Sequence, residues 1–409
     1  MANNREFDVI VWGATGFTGA LVAEYLRDQY GVGGDLSWAI AGRNPGKLAQ
    51  LKDGLGESCG ALPMLQADSH DLESLNEMAA RTTVVITTVG PYALHGADLV
   101  AACVENGTHY CDLAGEAHFI RRMIDAHDER ARQTGARIVH CCGFDSVPMD
   151  IGAWFLQQEA HKRYGAWCES IKLLVKASKG GPSGGTIASM LNLIKDSREN
   201  KDVIRVLLDP YGLNPEGERK GPDGREQHDI RFNEDVDAWT APFVMAAINT
   251  RVVRRSHALL GYPWGKGFRY DEAVITGKGV AGRLKAAMLS AGLGGIVLGA
   301  SFGFTRKILQ RWVLPEPGEG PTKEQRETGF FNLMQIGRLP DGKLIRTRIT
   351  GDRDPGYGST SKMLSECAVC LASDELETGG GVWTPASAMA EPLLRRLTEN
   401  AGLSFDVVD

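Results

Sequence analysis

Phe7-Asp8-Val9-Ile10-Val11-Trp12-Gly13-Ala14-Thr15-Gly16-Phe17-Thr18-Gly19 is the stretch on which the reading of the fold turns. An apolar run of strand length passes without spacer into three glycines at 13, 16 and 19, and a helix-forming segment, Gly19 to Asp28, follows. A strand that leaves a sheet, turns sharply and enters a helix presents backbone amides and the positive end of the helix dipole to a phosphate. Gly13 permits the turn, Gly16 lets the main chain approach a pyrophosphate, and Gly19 lets the helix pack closely on the strand. The spacing is GxxGxxG rather than GxGxxG, and the motif gains weight from its placement between strand and helix.

Outward from this loop the pattern repeats. Strands are predicted at Phe7 to Trp12, Leu36 to Ala41, Leu62 to Ala67, Val84 to Val89, His109 to Leu113 and Ala136 to Cys141. Helices are predicted at Gly19 to Asp28, Asp71 to Ala80, Ala97 to Glu105 and Glu116 to Gln133. Most of the strands lack polar alternation, as expected of a parallel sheet covered on both faces. After Pro148 the rhythm changes. Strands are predicted at Ser170 to Ala177, Phe268 to Ile275, Phe331 to Leu339 and Leu344 to Thr350. The last two flank Pro340-Asp341-Gly342-Lys343, a hairpin turn. Asp209 to Glu226 and Pro315 to Glu327 read as exposed loops.

The expected architecture is α/β: a Rossmann-type doubly wound parallel sheet plus a second α+β domain with an open mixed or antiparallel sheet. Residues 1–148 form the nucleotide-binding domain, joined by a C-terminal helix within 384–409, and 149–383 form the substrate and dimerisation domain. A chain of 409 residues accommodates both.

Cofactor choice rests on the end of the second strand. A carboxylate there serves the ribose hydroxyls of NAD, but the sequence reads Ala41-Gly42-Arg43-Asn44-Pro45-Gly46-Lys47. Arg43 and Lys47 are cations at a helix start, where the dipole disfavours them unless an anion is bound, and a guanidinium fork suits a 2′-phosphate. NADPH is the expected cofactor, held by Gly13, Ala14, Thr15, Gly16, Phe17, Thr18, Gly19, Arg43 and Lys47. Asp68 ends the third strand, placed either for the adenine amino group or as a helix cap. Val89, Gly90, Pro91 and Tyr92 end the fourth at the cofactor edge. Asp145 and Ser146 follow the sixth strand at the domain junction, and Tyr357 opens a helix expected from the second domain. Tyr92, Asp145 and Tyr357 are the candidates for proton donor.

Other chemistry is set aside. The net charge of −6 offers no attraction to nucleic acid. Eight cysteines in this length are no disulfide framework, and Cys367-Ala368-Val369-Cys370 sits in a helical run without a second pair to make a zinc site; no metal is expected. Tyr262 and Lys266 have YxxxK spacing, but Pro263 and Gly265 break any helix between them. The N-terminus runs into a strand without an apolar leader, so the cytoplasm is the expected location. Ala286 to Phe304 carries no charge over nineteen residues and contains five glycines. It reads as a buried core or interface helix, a membrane-surface or acyl-chain contact, or, least of all, a span.

Taken together, Gly13 to Gly19, Ala41-Gly42-Arg43, Val89-Gly90-Pro91-Tyr92, Cys111-Asp112-Leu113-Ala114-Gly115-Glu116, Gly143 to Pro148, Gly184-Gly185-Thr186, Asp354-Pro355-Gly356-Tyr357 and Thr384-Pro385-Ala386 resemble the saccharopine dehydrogenase-like oxidoreductases, and especially their trans-acting enoyl reductase branch. The resemblance implies NADPH-dependent reduction of a C=C bond in a lipid or polyketide acyl intermediate. An amino-acid imine substrate, which needs converging cations such as Arg251, Arg254, Arg255, Arg346 and Arg348, is the alternative. A non-catalytic NADP(H)-binding sensor is a third reading. The partners expected are a small-molecule or acyl-lipid substrate, a second copy of the chain, and a membrane surface at 286–304.

Overall fold

Val9, Ile10 and Val11 are fully buried, and three β-branched side chains in a row suit a strand with both faces covered. Burial of each such side chain contributes about 1.5–3 kcal/mol, which is why this strand lies at the centre of its sheet. The computed structural model describes residues 5–180, 201–301 and 320–408. The first elements are β1 (Phe7–Trp12), α1 (Phe17–Tyr30), β2 (Trp38–Gly42), α2 (Pro45–Gly54), β3 (Met64–Gln66), α3 (Leu72–Ala80), β4 (Thr82–Thr87), α4 (Tyr92–His95), α5 (Ala97–Glu105), β5 (His109–Cys111), α6 (Ala117–Thr134) and β6 (Arg137–Val139). There follow α7 (Val147–Tyr164), β7 (Ser170–Lys179), α8 (Lys201–Leu208), β8 (Arg231–Asn233), β9 (Ala238–Pro242), α9 (Ala246–Leu259), β10 (Arg269–Gly277), α10 (Gly279–Ser301), α11 (Lys323–Glu327), β11 (Phe330–Arg338) and β12 (Leu344–Gly351). The chain ends with α12 (Gly358–Ser373), β13 (Gly381–Trp383), α13 (Pro385–Glu399) and β14 (Leu403–Val408).

Two compact units result, one comprising 1–147, 318–321 and 356–402, the other 148–317, 322–355 and 403–409. The first holds a seven-stranded sheet in the order β13-β6-β5-β4-β1-β2-β3, every pair of it parallel. Strand order reverses between β1 and β4, with Trp12 opposite Ala41 on one side and Thr87 on the other. This is the doubly wound arrangement, and its switch point lies beside the glycine loop.

Helix α12 differs from the sequence expectation, which put it in the second domain. It packs on α1, α13, β1, β4 and β5 of the first unit. Twelve of its residues between Ser359 and Leu371 are buried, because it is enclosed on all sides rather than amphipathic. Its buried Glu366 accepts hydrogen bonds from the hydroxyls of Tyr25 and Tyr30, both at 2.7 Å, and from Asn400 at 3.3 Å, with Arg396 at 3.5 Å. A carboxylate taken out of water needs such partners, and here they tie α1 and α13 to α12. The C-terminal segment divides: α13 stays with the first unit, while β14 pairs with β12 in the second.

The second unit holds a mixed sheet in the order β14-β12-β11-β7-β10-β9-β8, in which β7 and β10 run parallel and the other pairs antiparallel. The β11–β12 hairpin turns at Asp341-Gly342, with Gly342 at φ +84° and Asp341 Oδ1 accepting from the Lys343 amide at 3.0 Å. The stretch 209–226 is not simply an exposed loop, since Tyr211, Leu213 and Asn214 are buried. Arg251 on α9 donates to Leu207 O and Glu226, Arg254 to Asp223, Pro210 O and Tyr270 O, and Arg255 to Leu213 O. All three arginines are 4% exposed or less. They are internal staples for the 207–226 segment, not surface or substrate-binding cations.

The uncharged stretch 286–304 is described as far as Ser301, and 302–304 lie outside the described residues, as do Gly184-Gly185-Thr186. It begins inside α10, yet Met288 is 59% and Leu289 39% exposed. A buried core helix is therefore not what its described part forms. Among the described residues no helix is long and apolar enough to cross a membrane.

Candidate functional site

The three glycines of the β1–α1 loop owe their identity to different neighbours. Gly13 sits at φ +82°, and a Cβ there would lie 2.6 Å from Val89 Cγ2. A Cβ on Gly19 would collide with the carbonyl oxygen of Gly13. Packing within the protein therefore dictates both. Gly16 is exposed, and its Cβ would meet nothing nearer than Gly13 O at 3.3 Å. It is also the N-cap of α1, and as a glycine it brings no side chain of its own to the first turn. The open position thus coincides with the positive end of the α1 dipole, and a dinucleotide pyrophosphate fits both features.

At the end of β2, Arg43 and Lys47 are exposed, and among the described residues neither side chain has an ion-pair partner. Asn44 caps α2 by accepting from the Lys47 amide at 3.0 Å, and Pro45 opens the helix. Both cations stand at the positive end of a helix, where a bound anion would relieve them. His70 and His95, not singled out from the sequence, have ring centroids 5.5 Å apart. Burial, then His70, then Arg43 hold His95 below its ordinary pKa. Asp68 accepts from the His70 amide at 2.9 Å and does not cap α3; Asp71 does.

Tyr92 departs from its expected role. The side chain is 5% exposed; its hydroxyl donates to Thr87 O at 3.1 Å and accepts from the Leu113 amide at 3.2 Å. Both contacts draw the phenol into the interior, so it braces the β4 and β5 loops instead of offering a proton. Glu116, 1% exposed, accepts from the amides of Tyr92 and Ala93 at 2.8 and 2.9 Å and so fixes the turn after Gly90-Pro91. Asp112 performs the same service for the β5 and β6 ends. It accepts from Tyr110 OH, the amides of Ala114 and Cys141, and pairs with His140 Nδ1 at 2.7 Å. Neither carboxylate was assigned a role from the residues, although both stand in the Cys111 to Glu116 run quoted above.

Asp145 lies between β6 and α7, half-buried, and burial raises its carboxyl to about 6. Its flanks are held: the Phe144 amide donates to Thr360 Oγ1 at 3.1 Å, and Ser146 Oγ donates to Asp145 O at 2.7 Å. The preceding Cys141 is at φ +63°, a conformation that costs about 1–3 kcal/mol and concentrates where a loop is positioned for function. A carboxyl that titrates near neutrality at the C-terminal end of a doubly wound sheet is a candidate acid. Tyr357 is placed elsewhere than expected. It belongs to the first unit, is 4% exposed, and stands edge-on to Phe17 of the glycine loop at 4.8 Å. Its ring buttresses that loop. All eight cysteines are free and buried, and no cluster able to hold a metal occurs among the described residues.

Comparison with known proteins agrees with this geometry. The family of saccharopine dehydrogenase NADP binding domains matches residues 9–139. A Mycobacterium tuberculosis protein named as a candidate trans-acting enoyl reductase is 41% identical over 416 residues, covering 99% of this chain and 98% of that one. The trans-acting enoyl reductase of Mycobacterium ulcerans is 36% identical, covering 97% and 96%. Among solved structures, apo saccharopine dehydrogenase (L-Glu forming) from Saccharomyces cerevisiae is similar in fold, with a TM-score of 0.53 at 12% identity over 98% of this chain and 100% of the other. With a parallel nucleotide-binding sheet, an NADP domain match and full-length relatives at this identity, the chain belongs to the trans-acting enoyl reductase branch of the saccharopine dehydrogenase-like family and is an NADP-dependent oxidoreductase.

Proposed function

We propose that this protein reduces the C=C bond of an α,β-unsaturated acyl intermediate with NADPH. The observation that carries the choice of substrate class is the fate of the arginines. An amino-acid imine bearing several carboxylates needs converging free cations, yet Arg251, Arg254 and Arg255 are buried staples, Arg346 donates to Asp235 O and Arg348 to Asp406. The names of the full-length relatives point the same way.

In this reading the amides at Gly16 and the start of α1 hold the pyrophosphate, and Arg43 with Lys47 pairs with the 2′-phosphate. The bound dinucleotide supplies a hydride, which goes to the β-carbon. Asp145, protonated, gives its proton to the α-carbon of the resulting enolate, completing the saturated acyl product. Asp112 and Glu116 keep the strand ends fixed around that position.

The test follows NADPH oxidation with unsaturated acyl thioesters and, separately, with saccharopine-type imines, using β-carbon deuterium incorporation from labelled cofactor as the product assay. Oxidation with the thioester and label at the β-carbon is expected. Turnover confined to the imine would overturn the substrate class, and tight NADPH binding without turnover of either would favour a sensor.

A further inference from the structure

Helix α10 is built the wrong way round for a soluble helix. At 100° per residue, Val280, Leu284, Ala287, Met288, Ala291 and Gly295 fall on one face, and that face is the exposed one: Val280 is 86%, Leu284 60% and Met288 59% exposed. The face turned to its own sheet carries Gly282 and Ala286, both buried, which pack on β9 and β10. Farther along, a Cβ at Gly292, Gly294 or Gly295 would meet no atom of the described residues beyond its own helix within 4 Å. Apolar side chains are thus held in water by a helix whose small residues are spent on packing, the reverse of the usual arrangement.

The charges around this face specify what it meets. The ionisable residues of α10 through Gly295 are Arg283 and Lys285, one on each flank of the apolar strip and both exposed; no acid occurs on it. The guanidinium of Arg283 lies 5.2 Å over the ring of Trp239, and Trp239 stands edge-on to Phe232 at 5.6 Å, itself 46% exposed. Of the acids in the adjoining β8–β9 turn, Asp235 is held by Arg338 and Asp237 by Lys278 at 2.8 Å each, leaving Glu234 exposed. An apolar strip bordered by long cations and an aromatic pair is the layout of a helix lying in a lipid interface, where the stems stay in the acyl boundary and the charges reach the headgroups.

We propose that α10, with Phe232 and Trp239, docks this protein on an anionic lipid surface, lying on it rather than crossing it. The proposal stands apart from the choice of substrate and survives or fails independently of it.

The full chain is mixed with phosphatidylcholine vesicles with and without phosphatidylglycerol and separated by flotation. Binding to the anionic vesicles is expected, weakened by salt. Arg283→Gln with Lys285→Gln should lower partitioning about 30-fold, and Leu284→Ser with Met288→Ser should abolish it, while NADPH fluorescence titration stays unchanged. Because these four side chains are exposed, folding is not at stake. No flotation of the unaltered chain overturns the proposal. So does a dimer, seen by light scattering, that the serine pair converts to monomer without lipid binding in either form, since the face would then belong to a second copy.

Discussion

Asp145 carries opposite demands on one carboxyl. Burial raises it from the ordinary 3.8 to about 6, so the folded state favours the protonated form. The stabilisation this gives is complete below the unfolded value and is lost as pH rises through about 6; above that, the folded protein holds an ionised carboxylate at a cost. Asp145→Asn should therefore stabilise the protein at neutral pH by about 1–2 kcal/mol, less than full linkage would give because the side chain keeps some water. The gain should vanish near about pH 4 in urea titrations. The same substitution should remove the fall of kcat with rising pH around 6; an unaltered profile would exclude Asp145 as the acid. Arg43 makes a simpler demand. Arg43→Ala should weaken NADPH about 10- to 100-fold, the worth of lost charge-assisted hydrogen bonds, and leave NADH nearly untouched in the same titration. Arg43 stands out in the sequence as a candidate because a cation at a helix start is anomalous without an anion, and the titration decides its role. Tyr92 was misread because its ring could turn in or out of the strand end, and only the positions of Thr87 and Leu113 decide. The buried arginines were equally opaque, since Arg251 and Arg254 find their carboxylates at Glu226 and Asp223, far off in sequence.

At the scale of elements, the glycine loop separates packing from binding. Gly19→Ala should force α1 off β1, costing about 1–3 kcal/mol as overpacking does, and thermal unfolding should register it together with loss of NADPH. Gly16 has φ −79°, which any residue adopts, so Gly16→Ala should keep its melting temperature while binding NADPH about tenfold more weakly. Equal effects from both would refute the division of roles. Strand β1 and helix α5 were readable in full because their hydrophobic runs end at clear turn residues. Strand β13 was not: three residues after Gly379-Gly380 have no periodicity of their own, and they become a strand only because β6 offers a free edge. Strands β8 and β9 escaped for the same reason, and α10 because apolar content alone does not say which face meets solvent.

For the whole molecule, the first unit is discontinuous. Residues 1–147 supply six of its seven strands, while α12, β13 and α13 arrive from 356–402. A fragment ending at Val147 leaves β6 unpaired at one edge and uncovers the apolar surface on which α12 packs. It should show secondary structure by far-UV circular dichroism without cooperative melting, and should not bind NADPH; a cooperatively folded, binding-competent fragment would contradict this account. The doubly wound architecture was legible from the alternation of strands and helices, but its discontinuity was not, since no local signal in 356–402 names the sheet it joins.

This late closure has a consequence during protein synthesis. On a ribosome the glycine loop and Arg43 emerge early, but α12 (Gly358–Ser373) begins only some two hundred residues after β6 ends at Val139, about 10–40 s at ordinary translation rates. Throughout that interval the sheet face it will cover stands bare in the nascent chain. The nucleotide domain is thus among the first parts to be made and the last to be finished, and a prematurely terminated product that contains every residue proposed to hold the cofactor would still lack a cofactor site.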